Sequence, residues 1–104
     1  MTDYDIKTNE EKMLVPYIER YNGNICAKNS DFEQAIGHYN RALLGLKMLF
    51  EIEKVEDQVI ESNEQAQNMI YEIQIPCWLN LSLCYLKTEN YHYVLKYTTE
   101  VLNL

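Results

Sequence analysis

The side chains that most often carry catalysis or bind metals are few in this chain and widely spaced. The two histidines, His38 and His92, have no cysteine or carboxylate beside them at a metal-ligand spacing. Cys26, Cys77 and Cys84 are odd in number and form no Cys-x-x-Cys pair. They lie in apolar helical sequence, which favours packed, reduced thiols in a reducing compartment. We therefore expect neither a metal nor a cofactor.

The short motifs of enzyme active sites are also missing from the sequence. It contains no glycine-rich phosphate loop, no nucleophile elbow and no serine with an evident base. The sequence therefore predicts a protein that is not an enzyme.

Length and charge exclude further classes of function. The 104 residues suit a single domain, and the net charge of -7 comes mainly from residues 51–72, which hold seven acidic side chains and one lysine. Nucleic-acid binding needs a basic stripe, which this sequence lacks. No apolar run is long enough to span a membrane, and residues 1–11 lack the order of a signal peptide. We expect a cytoplasmic protein that binds neither nucleic acid nor membrane. The acidic run fits either a solvated helix face or a contact with a basic partner.

The spacing of apolar residues indicates an all-α protein. It predicts helices over residues 10–28, 32–56, 66–88 and 91–103, after a mobile tail over residues 1–9. Pro16 and Pro76 fall inside the first and third of these helices. Each of these helices therefore either begins near its proline or kinks there.

The first two helices must fold back on each other. The small and apolar positions of this region change face across a break at residues 29–31, and they are Gly23, Phe32, Ala35, Tyr39 and Ala42. Ser30 or Asp31 can cap the second helix, with Glu33 or Gln34 completing a capping box. The two alanines lie on one stripe, where a neighbouring helix can approach closely.

This spacing resembles the tetratricopeptide repeat, a helical hairpin with a small residue at its eighth position, which is Gly23 here. Glu19 stands in place of the pattern's first aromatic residue, and Cys26 in place of the usual tyrosine at the eleventh position. A second copy runs from Trp78, with its eighth position 59 residues after Gly23, and comprises Ser82, Tyr85, Tyr91, Val94 and Val101. Plain arrays repeat every ~34 residues, so about 25 residues are inserted between the copies.

A long first connection is similar to that in the tetratricopeptide modules of the large peptidyl-prolyl isomerase immunophilins and of tetratricopeptide repeat protein 9. The sequence leaves both branches open. The resemblance implies stacked antiparallel hairpins in one domain over residues 10–104, with repeat 1 at 16–49, an acidic insertion at 50–74 and repeat 2 at 75–104. Because stable arrays usually need three or more repeats, we expect a fragment of a longer repeat protein.

The resemblance also implies a ligand site on the concave surface. Family members that hold the acidic C-terminal tail of heat-shock chaperones use a carboxylate clamp of one lysine and two asparagines in their first two repeats. Arg20, Asn24 and Asn80 stand at these positions, with arginine replacing lysine, and Lys28 and Lys87 stand at the thirteenth positions. The clamp's further basic pair belongs to a third repeat, which has no counterpart here. The alternative is that these side chains only make local structural contacts.

An apolar ligand is the other expectation for this surface. Its apolar candidates are Tyr17, Leu79, Leu83 and Leu86, which suit either a bound helix or ordinary packing between helices. We therefore expect a non-catalytic module that binds a peptide or partner domain through the concave face or the C-terminal end. The alternative is a co-chaperone adaptor that holds an acidic chaperone tail.

The last predicted helix ends on apolar residues. Terminal repeats of an array normally carry a polar cap, but this end presents Val101, Leu102 and Leu104. Self-association through the C-terminal helix is therefore a further expectation.

Overall fold

A computed structural model describes residues 9–56 and 67–103, and within them the fold is all α. The elements in chain order are helix α1 (Asn9–Lys28), helix α2 (Phe32–Glu56), a π-helical segment (Ile70–Gln74), helix α3 (Ile75–Lys87) and helix α4 (Tyr91–Leu102). Helices α1 and α2 pack as one antiparallel hairpin, α3 and α4 as a second, and α3 packs against α2. The predicted all-α fold of stacked hairpins is confirmed.

Two of the sequence predictions fall partly outside the described residues. Of the mobile tail predicted over residues 1–9, only Asn9 is described, and it is the first residue of α1. Of the acidic insertion predicted over residues 50–74, α2 extends to Glu56 and the description resumes at residue 67. None of the described helices combines the length and the apolar composition needed to cross a membrane.

The turn between α1 and α2 is a Schellman motif, closed by a residue in the left-handed conformation. Ser30 has a φ of 62°, and its N–H donates to the carbonyl of Ala27 at 3.0 Å. The N–H of Asp31 donates to the carbonyl of Cys26 at 2.8 Å, which completes the motif. The Oδ1 of Asp31 accepts from the N–H of Gln34 at 3.4 Å. Asp31 is therefore the residue that caps α2, while Ser30 terminates α1.

The turn between α3 and α4 repeats the same geometry. Glu89 also has a φ of 62°, and its N–H donates to the carbonyl of Leu86 at 3.1 Å. The N–H of Asn90 donates to the carbonyl of Tyr85 at 2.8 Å. Both hydrogen bonds join residues that lie 59 positions after their counterparts in the first turn. The repeat in the sequence is thus matched by a repeat in backbone geometry.

Helix α1 passes through Pro16, so a helix that begins near this proline was the wrong alternative. The Pro16 side chain is fully buried and faces Gly45 of α2. A Cβ on Gly45 would lie 3.4 Å from Cγ of Pro16. This is an ordinary van der Waals distance, so α1 and α2 are in direct contact at the proline and an alanine would also fit at position 45.

The π-helical segment ends at Gln74, two residues before Pro76. The N–H of Ile75 donates to the carbonyl of Ile70, which is the five-residue step of a π-helix. In a regular α-helix the proline ring would clash with the carbonyl four residues earlier, and the wider turn relieves this clash. Because residues 67–69 are also helical, the chain is helical from residue 67 to Lys87. The change of helix type was not predicted.

A single core joins the two hairpins. The buried apolar residues lie on α2, at Met69, in the π-helical segment and on α3, and they are Ala35, Tyr39, Ala42, Leu46, Leu49, Met69, Ile73, Cys77, Leu81 and Cys84. Helix α4 flanks this core and contributes no buried residue. The core therefore fixes α1, α2 and α3 relative to one another, and these are the helices that carry the predicted site.

Candidate functional site

Polar side chains from three helices meet in one hydrogen-bonded group. The hydroxyl of Tyr39 on α2 donates to Oδ1 of Asn24 on α1 at 2.6 Å. The Nδ2 of Asn80 on α3 donates to the same oxygen at 3.3 Å. The structure therefore brings together Asn24 and Asn80, two of the residues predicted for the ligand site, although they are 56 positions apart.

Gly23 sets the position of the Tyr39 ring in this group. A Cβ on Gly23 would lie 2.8 Å from Cε1 of Tyr39, which is closer than packed atoms allow. Burial raises the pKa of Tyr39 to about 12, with weaker raising contributions from nearby Cys84 and Cys77, while the Arg20 charge and a hydrogen bond with Asn80 act in the opposite direction. The hydroxyl is therefore protonated at neutral pH and acts as the donor to Asn24.

This donor fixes the orientation of the Asn24 amide. The Oδ1 of Asn24 accepts both hydrogen bonds, so its Nδ2 is directed away from Tyr39 and Asn80. This Nδ2 has no hydrogen-bond partner within the described residues. Asn80 is different, since its Nδ2 already serves Asn24 and its side chain also bonds Tyr39. Asn24 thus offers a hydrogen-bond donor to a ligand, and Asn80 holds Asn24 in place.

Arg20 lies one helical turn before Asn24 on α1. Burial raises the pKa of Tyr17, Tyr39 and Cys77, and the Arg20 charge opposes this rise in each case, which shows that the guanidinium lies near all three. The Nε of Arg20 is buried and has no hydrogen-bond partner among the residues that the structure describes. Among the side chains that the structure describes, Arg20 forms no ion pair with a glutamate of α1.

Within the described part of the chain, the Nε of Arg20 is a buried donor without an acceptor. Leaving a buried donor unsatisfied costs about 1–3 kcal/mol, and more for a charged group. Because Nε itself is buried, a carboxylate from solvent would reach the guanidinium through its terminal nitrogens, with charge-assisted hydrogen bonds. The surface around Arg20 and Asn24 is therefore chemically suited to bind an anion.

Lys28 and Lys87 lie on the same helix faces as the group but nearer the helix ends. Lys28 follows Asn24 by one turn in the last turn of α1, and Lys87 follows Asn80 by two turns in the last turn of α3. Both side chains are exposed, and no hydrogen bond joins them to the site among the described residues. They add positive charge near the group without being part of it.

The predicted apolar candidates fall into two groups. Tyr17 packs against the core, and its pKa is raised by burial and by its hydrogen bond with Glu72 of the π-helical segment. Leu79, Leu83 and Leu86 form a stripe along α3, with 48% to 56% of each side chain exposed. The leucines are therefore accessible to a ligand, whereas Tyr17 is part of the packed structure.

A second polar cluster lies on a different face of α1 and was not predicted from the sequence. Glu19 is 7% exposed, and its Oε2 accepts hydrogen bonds from Nδ1 of His38 at 2.8 Å and from Nε of Arg41 at 3.2 Å. Burial alone would raise the Glu19 pKa, but these hydrogen bonds and charges outweigh it and lower the pKa. The sequence signal for this cluster was Glu19 itself, which stands where the repeat pattern has its first aromatic residue.

The remaining side chains offer no reactive centre among the described residues. Burial raises the pKa of Cys77 to about 12 and also raises that of Cys84, so both thiols are protonated at neutral pH. No group of three histidines, cysteines or carboxylates that suits a metal occurs in the described ranges. The chemistry of the site is limited to hydrogen bonding and charge.

No protein-family model matches the chain, and no solved structure matches it significantly. The resemblance to the tetratricopeptide repeat therefore rests on the residue pattern, with which the repeated turn geometry is compatible.

Proposed function

We propose that this chain is a non-catalytic protein-interaction module of the tetratricopeptide type. Its Schellman turns recur at an offset of 59 residues, and Gly23 receives the Tyr39 ring as the repeat pattern implies. These features support a stack of rigid hairpins that presents side chains of α1 and α3 side by side. Such a surface binds an extended peptide or a partner domain.

The observation that carries this proposal further is the position of the Arg20 guanidinium, one helical turn before Asn24 and without an ion pair among the described residues. Next to it, Asn24 presents an amide donor whose direction Tyr39 fixes, and the exposed Lys28 and Lys87 add positive charge. Guanidinium and amide donors held on rigid helices match a carboxylate. The ligand chemistry that fits best is a peptide that ends in acidic residues, as in a co-chaperone adaptor for the tail of a heat-shock chaperone.

A reducing compartment such as the cytoplasm is the proposed setting. All three cysteines are free thiols, and two of them are buried in the core. Pairing Cys77 or Cys84 in a disulfide would require repacking of the core, so the fold favours conditions that keep thiols reduced.

The proposal is tested by titrating the folded protein with a peptide that ends Met-Glu-Glu-Val-Asp, at low and at physiological salt. We expect binding that weakens with salt, because charge-assisted hydrogen bonds are screened. The variants Arg20→Ala and Arg20→Ala/Asn24→Ala/Asn80→Ala should weaken it by roughly tenfold or more. Lys47→Ala, which removes one exposed positive charge elsewhere on α2, is the matched control.

Two outcomes would contradict the acidic-peptide ligand. One is no binding by folded wild-type protein, which would move the search to the apolar leucines of α3. The other is equal loss of binding in Lys47→Ala and Arg20→Ala, which would show attraction by net charge alone. A peptide with an amidated C-terminus separates recognition of the terminal carboxylate from recognition of the acidic side chains.

A further inference from the structure

Two apolar surfaces remain exposed at opposite ends of the hairpin stack. The first, the α1 stripe, consists of Leu14, Ile18, Tyr21 and Ile25, which are 43% to 63% exposed. The second, the α3/α4 face, consists of Leu79, Leu83, Leu86, Tyr91, Leu95 and Leu102, which are 48% to 80% exposed. Neither surface includes a charged residue. Helix α1 belongs to the first hairpin and the α3/α4 face to the second.

The α1 stripe occupies repeat positions whose equivalents in the second repeat are buried. Adding the 59-residue offset to Leu14, Ile18 and Ile25 gives positions 73, 77 and 84. The residues at those positions, Ile73, Cys77 and Cys84, are at most 2% exposed. All three belong to the common core, Ile73 from the π-helical segment and the two cysteines from α3. The α1 stripe is thus the exposed equivalent of the packed side of α3.

The α4 residues of the α3/α4 face occupy repeat positions whose equivalents on α2 pack against the common core. The same offset relates Tyr91, Leu95 and Leu102 to three residues of α2, namely Phe32, Ile36 and Leu43. Those three are partly buried against the core. On α4 their equivalents are 61% to 80% exposed. The α4 part of this face is therefore the exposed equivalent of an α2 surface that packs against the common core.

We infer that a second copy of this chain docks its α1 stripe on the α3/α4 face, which repeats between molecules the contact that joins the two hairpins within one molecule. The two surfaces are unlike, so the contact is head to tail. A head-to-tail contact leaves one free surface of each kind on every dimer, and further copies add at both ends.

The size and charge of the surfaces fit this occupant. Four of the six side chains of the α3/α4 face are more than half exposed, and clustered exposed apolar residues mark interaction surfaces. A standard interface buries about 800 Å² on each partner around an apolar core, and the α3/α4 face would contribute to such a core. The net charge of -7 opposes association, but physiological salt screens this repulsion beyond roughly 8 Å. At physiological salt, burial of the two apolar surfaces then determines whether two copies associate.

Sedimentation velocity of the intact chain at physiological salt, from low micromolar to millimolar concentration, tests this inference. We expect the mass of the wild type to rise with concentration from 12.4 kDa beyond that of a dimer. Ile18→Glu disables the α1 stripe and Leu83→Glu the α3/α4 face, and each variant alone should stay monomeric. An equimolar mixture retains one intact surface of each kind, so it should form dimers of twice that mass and nothing larger.

Controls separate this contact from other causes of association. Asn40→Glu adds the same charge at an exposed position of α2 outside both surfaces and should behave as the wild type. Circular dichroism checks that each variant is folded. Tyr21→Lys and Leu95→Lys repeat the mixing experiment with the opposite charge, so that a folding failure in one pair leaves the other pair to decide.

Three results would overturn the inference. A wild type that stays monomeric throughout would show that the surfaces serve another occupant. Dimers of Ile18→Glu alone would show a symmetric contact through the α3/α4 face. Folded variants that fail to form a dimer when mixed would show that the two surfaces do not bind each other. The experiment leaves Arg20, Asn24 and Asn80 unchanged, so its failure and that of the peptide site are distinguishable.

Discussion

Gly23 and Gly37 occupy helix interiors for different physical reasons, and substituting each by alanine tests the difference. A Cβ on Gly23 would lie 2.8 Å from the buried Tyr39 ring, whereas one on Gly37 would meet only the flexible end of Arg41 at 3.3 Å. We expect Gly23→Ala to lower the free energy of unfolding by about 1–3 kcal/mol through overpacking. Gly37→Ala should raise it by up to about 1 kcal/mol through helix propensity. Urea unfolding of the two variants measures both values. A stable Gly23→Ala would show that the Tyr39 ring moves freely.

Glu19 should make the stability of the fold depend on pH in the acid range. Hydrogen bonds from His38 and Arg41 hold its pKa below the ordinary value of 4.5 despite burial. A lowered pKa in the folded state stabilises the protein above the unfolded pKa, and this contribution is lost as the pH falls through the folded pKa. We therefore expect Glu19→Gln to cost about 1–3 kcal/mol at pH 7.

Urea unfolding at a series of pH values between about 7 and 3 measures this dependence. The difference in the free energy of unfolding between the wild type and Glu19→Gln should shrink as the pH falls from the ordinary carboxyl pKa through the lowered pKa of Glu19, where the carboxylate of the folded protein becomes neutral. Glu100→Gln, which alters an exposed carboxylate on α4, should show no such difference at any pH. A pH-independent cost of Glu19→Gln would mean that packing, and not charge, is what Glu19 contributes.

The helices and their turns were largely predictable because local signals specify them. Apolar spacing gave the extents of the described helices, and the break at residues 29–31 gave the first turn. Which residue of that turn ends α1 and which caps α2 was not predictable. Both Ser30 and Asp31 are good capping residues, and only the backbone shows that Ser30 adopts a left-handed conformation while Asp31 accepts the capping hydrogen bond. The π-helical segment escaped prediction because side-chain periodicity hardly changes over five residues.

Contacts between helices were predictable only where a repeat pattern supplied the register. Through the resemblance, that pattern placed Asn24 and Asn80 in one site, and they share a hydrogen bond. It did not reveal that Tyr39 would fix the direction of the Asn24 amide, because that depends on a hydroxyl from a third helix. The cluster around Glu19 was missed for a related reason. Its partners lie on α2, at 19 and 22 positions away, and sequence spacing alone does not pair residues across helices.

Across the whole molecule, burial is distributed unevenly between the two hairpins. The common core takes its residues from α2, Met69, the π-helical segment and α3, whereas α4 contributes none. Five of the twelve positions of α4 hold exposed aromatic, leucine or histidine side chains, namely Tyr91, His92, Tyr93, Leu95 and Leu102, and Tyr97 is half-buried. Elements that bury little apolar surface open locally at low free energy. Tyr85 of α3 stacks on Tyr93 and Tyr97 of α4, with ring centroids 4.8 Å and 5.9 Å apart.

This distribution predicts a gradient of backbone protection that responds to docking. In hydrogen exchange at low protein concentration, amides of α4 should exchange roughly tenfold or more faster than those of α3, because α4 opens without disrupting the core. At high concentration a second copy on the α3/α4 face should slow exchange in α4 of the wild type. In Leu83→Glu, which blocks that face, exchange should not depend on concentration. Protection of α4 equal to that of α3 at low concentration would mean that the hairpins open as one unit and that the tyrosine stacking holds α4 as firmly as core burial holds α3.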